Sequence, residues 1–571
     1  MSNTQQASGN SELKRSLEKR FYEPILLLDA LQSIYLGEDR VTEPDLEAPT
    51  GKSPQQIFFC FANKLSQICD NRPRQDLGAT VTAFAILDSG TVEYWFTSNQ
   101  RDQQELNIAK DFVEGILNLL GSVPDEQLAN KSSTPSIFSD ILQRILIFNR
   151  PRIELYLSEL CGKDGETFPW CIKYARREDS SEGACVADAL EGLKPHVEAV
   201  QRSLCSDSHE FTKHAESLLR CIDAHYPCLD IYMKKKTRGE NYVRDSRWSE
   251  LRHFLSRLLS LFIAVRVLIN ARELWPQLFV NFIVKSLPST EPAPAPVVRR
   301  NANGIISRMG SETATRPYKL HAETLQKDKN LDQRIAQRAH PKKFRPIVHA
   351  EVNLLDQILR RQAQSDLEED DGVRFFNEAE FGRYIGTSKP TCMLCHLWFS
   401  DHPSGVRCRE THGNLYYNWR APNVYDLDDR EAIKQRDLIL NGMVKKIRQQ
   451  AFRVIEERSF TRRRHDSRDT ATNPLGSTVR DTDSVIPSVG EDDHYSFTKF
   501  KREFSIVVDD ADSRLAAGLT EISLNDVMSP DKSNSGTTPA IRANGRSLKS
   551  ARRRPIIVED EDDEENGGAM L

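Results

Sequence analysis

"RPIVHAEVNLLDQIL" runs from Arg345 to Leu359 and holds His349 and Glu351 with one residue between them. An apolar entry, Pro346-Ile347-Val348, leads into it. Beyond it, Val352, Leu355 and Leu359, with Ile358 beside them, fall at helical spacing and predict a helix with an apolar stripe. The tripeptide His-Ala-Glu decides nothing alone, because it occurs three times in this chain. In "FTKHAESLLR" it contains His214, and downstream Pro227-Cys228 is followed at the third residue by Ile231. In "YKLHAETLQK" it contains His321 in a polar run. The first reads as amphipathic helix, the second as exposed helix or loop.

The third copy has a second element downstream. In "GRYIGTSKPTCMLCHLWFSDH" (Gly382 to His402), "RYIGTS" predicts a short strand and "CMLCHLWF" the start of a helix. Cys392 and Cys395 stand in C-x-x-C spacing, where a helix N-terminus favours thiolates. One His and two Cys are the ligands of an open zinc site that keeps a fourth position for water. A Glu two residues after the His, not itself a ligand, moves protons there.

Working outward, "ATVTAFAILDSGTVEYWFTSNQ" (Ala79 to Gln100) is two β-branched and aromatic runs joined by Asp88-Ser89-Gly90, a hairpin signal. Residues 1–78 predict an N-terminal helical region and 101–285 a helical insertion or domain. Residues 286–339, with "SLPSTEPAPAPVV", predict a Pro-rich linker or loop. Residues 340–458 form the compact zinc-bearing core, closed by a helix with an Asp-rich start and a basic later half. Residues 459–571 read as a disordered tail.

The 571 residues carry 78 basic and 83 acidic side chains, a net charge of -5, so no global field drives binding to nucleic acid. The apolar stretch Phe254 to Val284 is interrupted by Arg257, Arg266, Arg272 and Glu273, which predicts buried helices and no membrane association. The N-terminus lacks the apolar core of a secretory signal, and the 11 Cys are scattered along the chain. Both features predict reduced thiols in cytoplasm or nucleus.

On the residues "VHAEVNLL", "YIGTSKPTCMLCHLWF" and "THGNLYYNWRAP", the chain resembles the cytidine deaminase-like superfamily. More narrowly, it is similar to a fungal family of nucleic acid/nucleotide deaminase-like proteins. The resemblance covers roughly 340–425 and implies an α/β fold: a three-layer core around a mixed sheet. It implies Zn²⁺ on His349, Cys392 and Cys395, Glu351 as acid/base, and hydrolytic deamination of a nucleobase-containing substrate, free or in nucleic acid. It also implies that the 79–100 hairpin belongs to this sheet, separated from it by the helical insertion. Asn99 is then a candidate substrate contact, and Trp398, with Tyr416, Tyr417 and Trp419, a candidate stacking group. One departure is that Thr391 intervenes between Pro390 and Cys392.

A rival reading uses the same Cys pair. Cys392, Cys395, Cys408 and His412 have the spacing of a closed Cys₃His structural zinc site, which would make the chain a non-catalytic interaction module. In the tail, Ile506-Val507-Val508 and Ile556-Ile557-Val558 each precede acidic residues. The second, within 555–565, is the form a SUMO or SUMO-like partner binds as an added strand.

Overall fold

Side-chain alternation in the early hairpin sets the layers. In the computed structural model, β1 (Thr82–Asp88) and β2 (Val92–Ser98) pair antiparallel from Thr82↔Ser98 to Asp88↔Val92. Gly90, at φ +83°, supplies the left-handed residue that the tight turn requires. Successive side chains point to opposite faces. Phe84, Ile86, Tyr94 and Phe96 therefore enter one core, and Ala83, Ala85, Leu87 and Trp95 another. The structure describes residues 13–35, 40–41, 53–72, 78–129, 134–161, 166–178, 180–237, 246–368, 372–424, 429–459 and 461–462. Both tail motifs lie outside the described residues.

Four further strands complete the sheet: β3 (Ile283–Ser286), β4 (Arg374–Phe375), β5 (Tyr384–Thr387) and β6 (Arg407–Cys408). The order is β3-β2-β1-β5-β6, with β4 also paired to β1. β3 runs parallel to β2, β5 antiparallel to β1, and β6 parallel to β5. Helix Pro54–Cys69 covers the Phe84 face through Ile57, Phe61, Leu65 and Ile68. Helix Ala350–Glu368 covers the other face through Ala350, Leu354, Leu355 and Ile358. The expected three-layer α/β core with a mixed sheet is thus what the chain builds.

Close packing of the first layer depends on Gly386 in β5. A Cβ there would stand 2.5 Å from the backbone carbon of Ala62 and 2.6 Å from its oxygen. Gly386→Ala is expected to destabilise the fold by about 1–3 kcal/mol, because a helix backbone, unlike a side chain, cannot rotate away. Urea unfolding would measure it.

The helices of 103–274 share a core with the sheet. Phe84 and Phe96 belong to the same apolar cluster as Leu142, Leu190, Leu258 and Phe262. Polar ties reinforce the junction. Arg152 makes a bidentate pair with Asp70, at 2.9 and 3.0 Å, and Tyr94 Oη donates to the Leu278 carbonyl at 2.8 Å. Helix Arg247–Leu274 is long and apolar enough to cross a membrane, but 94% of its apolar window is buried inside the protein.

A separate cluster joins helix Arg15–Ile34 to helices Met393–Asp401 and Arg430–Glu457. The two N-terminal helices therefore serve different layers. The linker expected over 286–339 holds only to about residue 301. Helices Ala302–Ile306, Glu312–Lys329 and Leu331–Arg338 follow. Ser311 caps the second of these, and Tyr318, Ala322, Leu325, Leu331 and Ile335 are buried in the cluster that Arg15–Ile34 helps to build. That apolar spacing outweighs the Pro-rich lead-in.

Candidate metal centre

His349 stands immediately before helix Ala350–Glu368 and is held there from two sides. Its carbonyl accepts from Asn353 N at 2.9 Å, inside the first turn. Asn99 Oδ1, at the end of β2, accepts from Ala350 N at 2.8 Å and so satisfies a helix-start amide. The apolar entry is zipped to a downstream segment: Ile347 N donates to Asn418 O, and Arg420 N donates to Ile347 O.

The cysteine helix is fixed similarly. Cys392 is the N-cap residue of Met393–Asp401, and its Sγ accepts from Cys395 N at 3.4 Å. Thr391 forms a parallel bridge with Thr411, and its hydroxyl donates to Arg409 O at 3.1 Å. The residue inserted after Pro390 is thereby absorbed into strand-like pairing, and the Cys pair keeps its position.

These placements bring His349, Cys392 and Cys395 together, with one ligand atom from each lying within 4.8 Å of the others. His349 Nδ1 is 3.6 Å from Cys392 Sγ and 3.4 Å from Cys395 Sγ. Tetrahedral zinc with ordinary Zn–N and Zn–S bonds requires an N···S edge of about 3.6 Å, so the donor set fits the ion in type and spacing. Among the described residues no other group of His, Cys, Asp and Glu meets the same test.

All four chemistry-bearing side chains are buried: His349, Glu351, Cys392 and Cys395. Burial disfavours charge on Cys392, but the Cys395 thiol and the His349 ring overcome it and hold Cys392 well below the ordinary thiol range. Burial likewise opposes protonation of His349, yet the Cys392 charge beside it raises the ring. Cys395 is pushed well up by burial, then by Cys392 and Glu351. Holding an ion on this set requires the thiols and the ring nitrogen to give up their protons. Glu351 is raised by burial, against the opposing charge of His349.

Trp419 adds a contact that sequence reading does not assign. Its Nε1–H donates to Cys395 Sγ at 3.2 Å, and its fully buried ring packs on Phe21 and Trp398. The stretch "YYNWRAP" signals an aromatic near the site but not this donor. A ligand's outer hydrogen-bond partner tunes metal affinity. Trp419→Phe, which keeps most of the ring, is expected to weaken zinc binding about 10–100-fold. Competition against a chromophoric chelator would read it.

Asn99 commits both ends of its amide to backbone, with Nδ2 donating to Gly78 O at 3.1 Å, so it positions the His349 helix. Trp398 is buried between Trp419 and His402 and lines a cavity of about 170 Å³ with Val352, Leu355 and Ile439. Tyr417 packs on Phe344, and Tyr416 edges the His412 ring. Cys408 and His412 do not join the cluster. Cys408 pairs through β6 with Ile385 and packs against the core under helix Ala350–Glu368, while His412 Nδ1 accepts from Asn414 N at 3.0 Å. The closed Cys₃His arrangement is therefore not assembled. His214 lies 3.9 Å from Glu210 of its own helix, and His321 contacts Tyr35, both apart from the cysteines.

No curated protein and no solved structure matches the chain. Residues 348–423, which supply the three clustered ligands together with Glu351 and Trp419, match the model of the OTT_1508-like deaminase family, and this part of the chain is deaminase-like.

Proposed function

We propose that the chain is a zinc-dependent hydrolytic deaminase of a nucleobase, nucleotide or nucleic acid. The observation that carries this reading is the open three-ligand set with a buried Glu beside it that is not one of the ligands. His349, Cys392 and Cys395 would hold Zn²⁺, which supplies an activated water for attack on an amidine carbon. Glu351 takes the proton released in that attack and returns it to the departing ammonia. Its fixed place one residue into the helix, beside the Cys395 thiol, keeps proton donor and acceptor within reach of one reacting carbon. Trp419 N–H holds Cys395 Sγ in the orientation a ligand needs. Burial of the whole set excludes bulk water, which strengthens each of these interactions.

The test is ammonia release from cytosine- and adenine-containing nucleosides, nucleotides and single strands by the zinc-loaded chain. Release that requires both zinc and Glu351 supports the reading. A folded, zinc-replete protein that deaminates none of them overturns it.

A further inference from the structure

Outside the metal centre, the helical insertion holds a second pair of thiols in contact. Cys185 stands in the second turn of helix Ser181–Ser203, and Cys228 lies in helix Ser208–Thr237, packed beside it. The two Sγ atoms are 3.6 Å apart, which is sulfur–sulfur contact, and both residues are half-buried free thiols. The fully buried Cys69 and Cys171 pack as small apolar side chains in the core. Cys228 only borders that core, and neither member of the pair is sealed inside it.

The place of the pair in the fold is a second observation. The two helices join through a short connection at 204–207, and the thiols meet at the opposite, open end. There Pro227 has no N–H to give to the Asp223 carbonyl, so the helical ladder is interrupted just before Cys228. The turns beyond are tied back by side chains. Tyr232 Oη donates to Glu178 at 2.8 Å, Lys235 Nζ donates to Glu182 at 2.7 Å, and Lys236 also reaches Glu178. Lys235 and Glu182 are 60% and 42% exposed, so that pair adds little and salt loosens it.

We propose that Cys185 and Cys228 are a modification site, a dithiol that closes to a disulfide by exchange with a small disulfide of the oxidised-glutathione class and so locks the open end of this helix pair. The proposal is independent of the deaminase reading. Sulfurs already in contact need only side-chain rotation to bond. Exchange passes through a mixed disulfide. The Cys185 thiolate attacks one sulfur of the reagent, breaking its S–S bond and releasing one small thiol. The Cys228 thiolate then attacks Cys185 Sγ, which forms the internal bond and releases the second small thiol. The two protein protons end on the released thiols; the reagent gains two electrons and the protein loses two. Burial, and then the neighbouring Cys185, pushes the Cys228 thiol up to about 11, which suits it to the second, intramolecular attack.

The experiment equilibrates the full zinc-loaded chain in buffers of reduced and oxidised glutathione, digests it without reduction and maps the peptides by mass spectrometry. A peptide joining Cys185 to Cys228 is expected. The thermal midpoint should rise by about 3–10 °C, as for a bond between cysteines 43 positions apart. Excess reduced glutathione should reverse both. Cys228→Ser should stop with glutathione on Cys185 and show no rise; Cys228→Ala carries the same comparison if the serine variant does not fold. The exposed Cys205 is the internal control, since glutathione on it shows that the reagent has acted. A chain modified at Cys205 but without the Cys185–Cys228 link overturns the proposal. So does a link that leaves the midpoint unchanged or lower, because the native helices then do not fit the bond.

Discussion

His349→Ala should strip the protein of its zinc. The wild type is expected to retain about one zinc per chain through dialysis, on one imidazole and two thiolates. The variant is expected to retain less than about a tenth of that, because losing a direct ligand exceeds the 10–100-fold cost of losing an outer partner. Elemental analysis on protein shown to be folded by circular dichroism makes the measurement. The comparison that gives it force is with Cys408→Ser and His412→Ala, which should keep the wild-type zinc content. Those two residues face a core and their own loop, and neither contributes an atom to the cluster. Full zinc in His349→Ala, or zinc lost in Cys408→Ser, would restore the closed structural site and remove the case for chemistry.

Glu351→Gln separates binding from turnover. The amide is nearly the shape of the carboxylate and leaves all three metal ligands in place, so zinc content should not change. It cannot take up and give back a proton, however. Deamination of whichever substrate is found should fall about 10²–10⁴-fold, the usual worth of a positioned acid/base. Substrate affinity should shift far less. A Gln variant that releases ammonia at the wild-type rate would assign proton transfer to another group, and Glu351 would be only a buried neighbour of Cys395.

How much of this was legible in the sequence follows from the range of each interaction. The His349 helix, strand β5 and the C-x-x-C helix were readable because their apolar spacing, turn residues and ligand types lie within short windows. The hairpin was readable because two β-branched runs flank Asp-Ser-Gly. β3 was not: it is four residues long and defined by pairing with a strand far earlier in the chain. The helices of 302–338 were hidden behind the Pro-rich segment, and only their buried Tyr318, Leu325 and Ile335 reveal a helical face. Trp419 could be read as an aromatic near the site, but its bond to Cys395 depends on a segment zipped to Ile347 across 70 residues of sequence or more. The pairing of Asp70 with Arg152 has no local signature at all, since the two lie 82 residues apart.

The pairing of β1 with β5 also has a consequence for how the protein is made. Thr82 and Ser388, which bond where these strands meet, are 306 residues apart. At ordinary synthesis rates the hairpin leaves the ribosome about 15–60 s before its sheet partner exists. During that interval the β1 edge is an open template for pairing with other chains. The insertion shares a core with the opposite face of the hairpin and is complete before β5 is translated. Its helices are therefore placed to sequester Phe84 and Phe96 while the nascent sheet waits, acting as a built-in chaperone for the half of the fold that is born first.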